Sequence, residues 1–503
     1  MQTIRTTING SGVEITSDLI ERYDRPLPRY TSYPPAPAWT TDVDASDLIS
    51  SLQHLKTSTL SLYIHLPFCR SRCTFCACHA IATTKTEIID RYIDALIAEM
   101  DMVFKHRSPL TPTLSPGGRG MGEGDSSTIQ CLHWGGGTPT YLSEGQIERL
   151  TNEIKKRFLF EENAEIGIEA DPRQTTPEKV RLLHKAGFNR ISFGIQDTNH
   201  EVLNACGKSL SRPLSRKGRG NFSIPAPLTR DGEDAGIEDL INESRLAGFE
   251  SVNIDICYGL PKQSPKSFQK TLDDIIRLSP DRIALFNFAY VPWMQPHQRR
   301  IDPKTLPAPH AKLKMFANAI DQFSNAGYRF IGLDHFAKNR DELSRAFANR
   351  TLRRTFQGYT AKASDTLIGL GVTSISEFND CFGGLYSQNE RRLSDYFRKI
   401  GNGQLPACRG FVLSRDDMIR RDVMQRLFCR QKIDKADFEG AWRVSFDDYF
   451  HDIKLDDLEA DGLIRKSKDE LCVAPLGRLF IRNIASRFDR YLRPQETRYS
   501  RTV

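Results

Sequence analysis

The sequence predicts an α/β protein, a partial (β/α) TIM-like barrel followed by a mostly helical C-terminal domain. Three observations support this class. From about residue 60 onward, short apolar runs alternate with amphipathic helical stretches, the pattern of parallel strands joined by helical crossovers. Nearly every run ends on a polar or glycine-rich group. A single ligand can reach all of those ends only if the sheet curls, as in barrels whose active sites gather at the C-terminal strand ends. After about residue 390 the alternation stops and helical patterns take over.

At 503 residues the chain exceeds one ordinary core, so a large domain and a smaller one are expected. The boundaries fall at 1–55 for an N-terminal extension, 56–389 for the barrel and 390–503 for the C-terminal domain. The strands are LSLYIHL (60–66), IQCLHW (129–134), AEIGIEA (164–170), NRISFGI (189–195), SVNIDIC (251–257), RIALFNFA (282–289) and YRFIGL (328–333). Their ends carry His65, Gly135–Gly137, Glu169, Gln196, Asp255, and Asp334 with His335. Helices lie between them, at 86–104 and 238–249 among others. Gly187 and Gly248, each in an AGF ahead of a strand, suit helix C-caps. Two segments, 109–125 and 208–234, are rich in Pro, Gly, Ser and Arg and lack periodicity, so they read as mobile surface loops inserted in the barrel. In the C-terminal part, 415–428, 446–464 and 476–492 read as helices and 463–475 as a hairpin. That combination suits a winged-helix module or, given its interleaved acids, a cap packed on the barrel.

Composition excludes several classes. Hydrophobic residues make up 39% and charged residues 26% of the chain, as in water-soluble globular proteins. No run of about 18 apolar residues exists, and the N-terminus lacks an apolar signal core, which points to the cytoplasm and away from a membrane span. The net charge of +7 is modest, and the 208–234 loop, with six basic and three acidic residues, accounts for part of it. Nucleic acid is therefore not the expected partner. In a cytoplasmic protein, clustered cysteines read as metal ligands or redox groups rather than disulfides.

The cluster is CRSRCTFCAC, with Cys69, Cys73, Cys76 and Cys78 in ten residues after the strand ending at Pro67. Structural zinc habitually takes two ligand pairs separated by a longer loop. Three thiolates at C-x3-C-x2-C on one short loop suit three corners of a [4Fe–4S] cluster, leaving the fourth iron open to another ligand.

With its glycine-rich strand end GGGT, this loop resembles the radical S-adenosylmethionine (SAM) superfamily. YIHLPFCRSRCTFCAC, LHWGGGTPTYL, IEADPR, GIQD, NIDICYGLPKQ, DHFAK and FQGYT, together with RYTSYP (29–34) and RRDVMQRLFC (420–429), resemble the oxygen-independent coproporphyrinogen III oxidase family. The resemblance runs from about residue 20 to the C-terminus, outside the two inserted loops. It implies that Cys69, Cys73 and Cys76 hold a [4Fe–4S] cluster. It also implies two SAM molecules, one contacted by Tyr63, Gly136, Glu169 and Ile375, the other by Phe75, Gly137, Thr138, Gln196, Asp255 and Ala289. Twelve residues after Gln196, where the family has an arginine for the second SAM, this chain has Lys208. Catalytic roles are implied for Tyr63, His65 and Gln357. The implied reaction is reductive cleavage of SAM, hydrogen abstraction from two propionates of coproporphyrinogen III, and their decarboxylation to vinyl groups in heme biosynthesis. A monomer served by a small redox protein is expected. Arg29, Arg409 and Arg421 are candidates for the substrate carboxylates. Residues around Glu169 leave open a plain ion pair with Arg173. The alternatives are a heme-chaperone relative without decarboxylase activity, against which RYTSYP and Cys78 stand, and a radical SAM enzyme acting on RNA.

Overall fold

The computed structural model describes all residues except 1–2, 9, 56–58, 107–127, 209–234, 363, 380–383, 493–498 and 503. The two inserted loops therefore lie outside the described residues, apart from Lys208. A twelve-stranded sheet organises the chain. Six strands follow one another in both sequence and space: Thr59–Leu66, Thr128–Gly136, Leu159–Ala170, Arg190–Gln196, Ser251–Tyr258 and Arg282–Asn287, each parallel to the next. Thr366–Leu370 adds a seventh parallel strand beside the first. The edge strands of this sheet, Tyr328–Ile331 and Ala407–Val412, are not paired with each other, so the barrel is partial.

The register explains the sequence alternation. Tyr63 lies opposite His133, His65 opposite Gly135, Glu169 opposite Ser192, and Gly194 opposite Asp255. Alternate residues of a strand face opposite sides. The polar set therefore shares the inner face, while Leu62, Ile64, Trp134, Ile168, Phe193 and Ile254 are buried on the outer one. The crossover helices cover that outer face. Gly187 and Gly248 close the helices Pro177–Lys185 and Ala235–Ala247 at φ of +105° and +107°, where a Cβ would be strained.

Three elements depart from expectation. The 328–333 run does not pair with the sixth strand, because an antiparallel strand lies between them. Tyr328–Ile331 turns through Gly332, at φ +58°, and pairs antiparallel with His335–Lys338, which itself pairs antiparallel with Arg282–Asn287. The 446–464 stretch is two short helices, Phe446–Tyr449 and Asp456–Ala460, and 476–492 is a 3-10 turn (Leu476–Phe480) followed by Ile481–Ser486. The first stretch is interrupted by a turn at 450–452, and in the second every residue of 480–485 is buried, polar ones included, so it has no amphipathic face. Helix Arg415–Arg430 and the hairpin Ile464–Lys466/Glu470–Val473 form as read, with Lys432–Asp434 as a third strand. No helix among the described residues is long and apolar enough to cross a membrane.

The N-terminal segment is held from both sides. Tyr23 donates to Asp461 at 2.5 Å, and Arg354 donates to the Arg29 carbonyl at 2.9 Å. The C-terminal tail runs beside it: Leu27 N–H donates to Ser500 and Thr502 N–H to Arg25.

Candidate functional site

The cysteine loop starts where the first strand runs out. Phe68–Cys69 pairs with Ile81–Ala82, closing the loop at its base. Gly137 N–H donates to Leu66 and Thr138 N–H to Phe68, which fastens the loop to the glycine-rich strand end. These glycines are required by space. A Cβ on Gly137 would stand 2.5 Å from the Pro67 carbonyl oxygen, and one on Gly136, at φ +118°, would stand 2.8 Å from the His65 ring.

All three thiols of Cys69, Cys73 and Cys76 line one cavity of about 550 Å³. Thr138 Oγ1 lies 3.2 Å from the Cys69 sulfur, and Arg173 approaches the Cys73 sulfur at 3.8 Å. Among the described residues no three His, Cys, Asp or Glu side chains converge closely enough to hold a single metal ion. Three soft thiol donors on one cavity wall are of the ligand type that iron–sulfur clusters take. Cys78 lines the same cavity.

The cavity collects most of the expected SAM residues: Phe75, Gly136, Gly137, Thr138, Glu169, Gln196, Lys208, Asp255 and Ala289. Glu169 accepts from Gly136 N–H at 3.1 Å and stands 3.5 Å from His133. It does not pair with Arg173, which holds Asp171 at 2.6 Å instead. Burial works against the Asp171 carboxylate, but Lys208 and Arg173 together bring its pKa down to about 2. Lys208 is buried and its ammonium donates to the Gly194 carbonyl, so it is neither solvated nor loosely placed. Asp255 accepts from Asn253 at 2.7 Å and from Ser192 at 3.1 Å. Burial, followed by the Glu169 charge, pushes its pKa up to about 6.

Tyr63 and His65 stand on the inner face just below. Burial lowers the His65 pKa, so its ring is neutral. His65 Nε2 bonds the His79 carbonyl at 3.0 Å and must carry the proton, so Nδ1 accepts from Tyr63 O–H, also at 3.0 Å. Tyr63 stacks on His133 and flanks Gly135 beside Glu169.

Gln357 and Ile375 are not brought to the large cavity. Gln357 sits in the turn of the hairpin Arg353–Thr355/Gly358–Thr360, lining a smaller chamber of about 160 Å³ that shares Glu169, Ser192, Asp255 and Phe286 with it. Ile375 packs in a separate apolar cluster with Trp39, Tyr386 and Leu413. Of the three arginines, only Arg29 lines the cavity, donating to the Asn287 carbonyl. Arg409 bonds Gln388 and lies over Trp39, and Arg421 bonds Asn379. Sequence reasoning missed Asp171, Ser192 and Asn253. The motifs IEADPR and NIDICYGLPKQ contain Asp171 and Asn253, whereas Ser192 lies in none of the motifs.

Comparison with known proteins agrees with this geometry. Residues 63–275 match the radical SAM superfamily model and 413–480 match the HemN C-terminal domain. The chain is 39% identical over 501 residues to the oxygen-independent coproporphyrinogen III oxidase of Synechocystis sp., covering 98% of each chain. It is 40% identical over 477 residues to the Escherichia coli enzyme, covering 94% of this chain and 95% of that one. The solved structure of the Escherichia coli radical SAM enzyme coproporphyrinogen III oxidase (HemN) superposes with a TM-score of 0.80 at 38% identity, covering 92% of this chain and 98% of that one. With the cysteine loop, strand-end glycines and cavity in place, these full-length matches show that the chain belongs to the oxygen-independent coproporphyrinogen III oxidase family, radical SAM oxidoreductases that use a [4Fe–4S] cluster and S-adenosylmethionine.

Proposed function

We propose that this protein catalyses the anaerobic oxidative decarboxylation of two propionates of coproporphyrinogen III to vinyl groups, giving protoporphyrinogen IX, with two SAM consumed. The observation that supports this most directly is that Cys69, Cys73, Cys76 and nine of the eleven expected SAM residues line one cavity. Cys69, Cys73 and Cys76 would hold the cluster. When bound, cluster and SAM supply the one-electron chemistry that removes a hydrogen atom from the β-carbon of each propionate, after which CO2 and one electron leave.

The chain's own residues position and enclose. Gly136 and Gly137 let a ligand approach the backbone, and Glu169 offers a carboxylate to the amino or ribose groups of the first SAM. Asp255, braced by Ser192 and Asn253, does the same for the second. Lys208 and Arg173 offset the buried Asp171 and keep positive charge for a ligand carboxylate. Phe75, Phe286, Phe288 and Val291 exclude water, which strengthens those polar contacts. The Tyr63–His65 pair keeps a polarised O–H on the inner face. Arg29, at the cavity wall beside Tyr499 and Ser500, is the cation placed to meet a substrate propionate. Gln357 would act from the adjoining chamber. The protein works as a cytoplasmic monomer that receives electrons from a small redox protein.

Anaerobic incubation of cluster-loaded protein with coproporphyrinogen III, SAM and dithionite tests the proposal. Protoporphyrinogen with about two methionines released per molecule is expected, as one SAM cleaved per vinyl group requires. A product that retains three propionates would refute the double decarboxylation, and an unchanged tetracarboxylate would refute the activity.

A further inference from the structure

Trp293 and Met294 are 53% and 52% exposed, and among the described residues they are the only large exposed apolar side chains adjacent in the chain. Single exposed hydrophobics are ordinary, whereas a contiguous apolar spot rimmed by charge marks a contact surface. The loop that carries this pair is fastened to the cysteine loop. Gln295 donates to the Ala77 carbonyl at 3.1 Å and accepts from Arg72 at 3.0 Å, His297 donates to the Cys76 carbonyl at 2.8 Å, and Gln298 donates to Phe75 at 3.3 Å. The apolar spot is thus tied by short hydrogen-bonded links to the backbone of Cys76, one of the three expected cluster ligands.

The two loops are rich in arginine. Arg70 and Arg72 flank the cysteines, and Arg299 and Arg300 follow His297. Neither 66–86 nor 282–301 contains Asp or Glu, and Asp302, which follows, accepts from the Lys304 N–H at 3.0 Å. Among the described residues no carboxylate pairs with Arg70, Arg299 or Arg300, and the three are exposed. Met294 and Arg72 line the cavity wall with Arg29, whereas Trp293, Arg70, Arg299 and Arg300 do not. These four stand apart from the cavity wall that holds the cation placed to meet the substrate's carboxylates.

We infer that this face docks the electron donor, a one-electron carrier protein with an acidic surface, with Trp293 at the centre of the contact and Arg70, Arg299 and Arg300 around it. The inference rests on Cys69, Cys73 and Cys76 being the cluster ligands. In the step served, one electron leaves the carrier's reduced flavin or iron–sulfur centre and enters the [4Fe–4S]2+ cluster, which becomes [4Fe–4S]+. The carrier is oxidised by one electron and no bond or proton changes. Redox encounters of this kind bury under about 1,200 Å², so a small apolar centre with a few cations suffices. Charge of one sign steers the partner and makes the association sensitive to salt.

The test uses the full-length protein and a purified flavodoxin of acidic surface as probe. Binding is measured by calorimetry at low and at physiological salt, and turnover is measured with reduced flavodoxin and separately with dithionite. Trp293→Ser and Arg299→Glu should each raise the flavodoxin Kd at least tenfold and lower flavodoxin-driven turnover in step. Arg299→Glu should also flatten the salt dependence. Dithionite-driven turnover and SAM binding should match the wild type. An unchanged Kd, an absence of wild-type binding, or an equal loss with dithionite would overturn the docking assignment. Failure of the wild type to decarboxylate with dithionite would instead refute the proposed activity, while leaving the binding measurement to judge this surface.

Discussion

Replacing Lys208 by methionine removes one positive charge from the cavity while keeping a flexible chain of similar size. The structure gives the perturbation a definite meaning. Lys208 is 5% exposed, its backbone N–H bonds Leu203 at 2.9 Å beyond the helix His200–Ala205, and its ammonium reaches Gly194 on the neighbouring strand. The ammonium shares Asp171 with Arg173, which still pairs with that carboxylate at 2.6 Å in the variant. The fold should therefore survive. What is lost is the charge left over for a ligand carboxylate, a charged hydrogen bond worth about 1–3 kcal/mol or roughly 5- to 150-fold in affinity. An arginine would add a planar fork at this point, so Lys208→Arg should bind at least as tightly as the wild type. Anaerobic equilibrium dialysis of labelled SAM against cluster-loaded protein resolves the two sites. The expected result for Lys208→Met is an unchanged first site and a second site weakened within that range, with the opposite trend for Lys208→Arg. Two unaltered sites, or a first site weakened with the second untouched, would refute the assignment of Lys208 to the second SAM.

Alanine at Cys69, Cys73 or Cys76 should remove the brown colour and about four irons per chain, whereas Cys78→Ala should keep the iron, as metal analysis of anaerobically prepared protein will show. Gly136→Ala forces a Cβ to 2.8 Å from His65 at φ +118°, a strain of about 1–3 kcal/mol. First-site SAM binding should fall while the thermal melt stays cooperative, and normal binding would remove the spatial requirement claimed for this glycine. Asp255, with its pKa raised to about 6 by burial and the Glu169 charge, contributes stability fully at low pH and loses it as pH rises from the ordinary carboxylate range through about 6. Asp255→Asn should therefore be more stable than the wild type at pH 8, by about 1–3 kcal/mol in urea unfolding, yet weaker at the second SAM site. The Glu99 carboxylate is buried and accepts from Gly371, Asn389 and Tyr396; Glu99→Leu should cost about 2–5 kcal/mol because the Gly371 N–H and Tyr396 O–H are left unpaired while Asn389 keeps Gly371 and Ser374, read as a lower urea midpoint.

Much of this protein was legible in the chain because the decisive signals are local. Thiol spacing, the glycines at a strand end and the polar residue that ends each strand, such as His65, Glu169 or Asp255, each occupy a few neighbouring residues. The chemistry of a loop or strand face does not depend on distant partners. The barrel class followed from those polar strand ends, since a common ligand reaches them only if the sheet curls. Pairings between distant segments were decided only by the tertiary structure. Arg173 reads as a partner for Glu169 four residues away, yet the turn after the strand aims it at Asp171 and Cys73, while the strand register leaves Glu169 to the Gly136 amide. Lys208 reads as the edge of a surface loop, but the helix before it delivers its ammonium to Gly194. Arg29, Arg409 and Arg421 are alike in sequence, and only the docking of the N-terminal segment against Asn287 and the C-terminal tail brings Arg29, alone of the three, to the cavity. Trp293 gains significance only because the loop after the sixth strand folds back onto the carbonyls of Phe75, Cys76 and Ala77, more than 200 residues earlier in the chain. Spacing along the chain reports what a segment can do. Sheet order and register decide which segments meet, because burial and hydrogen bonding are satisfied across strands rather than along them.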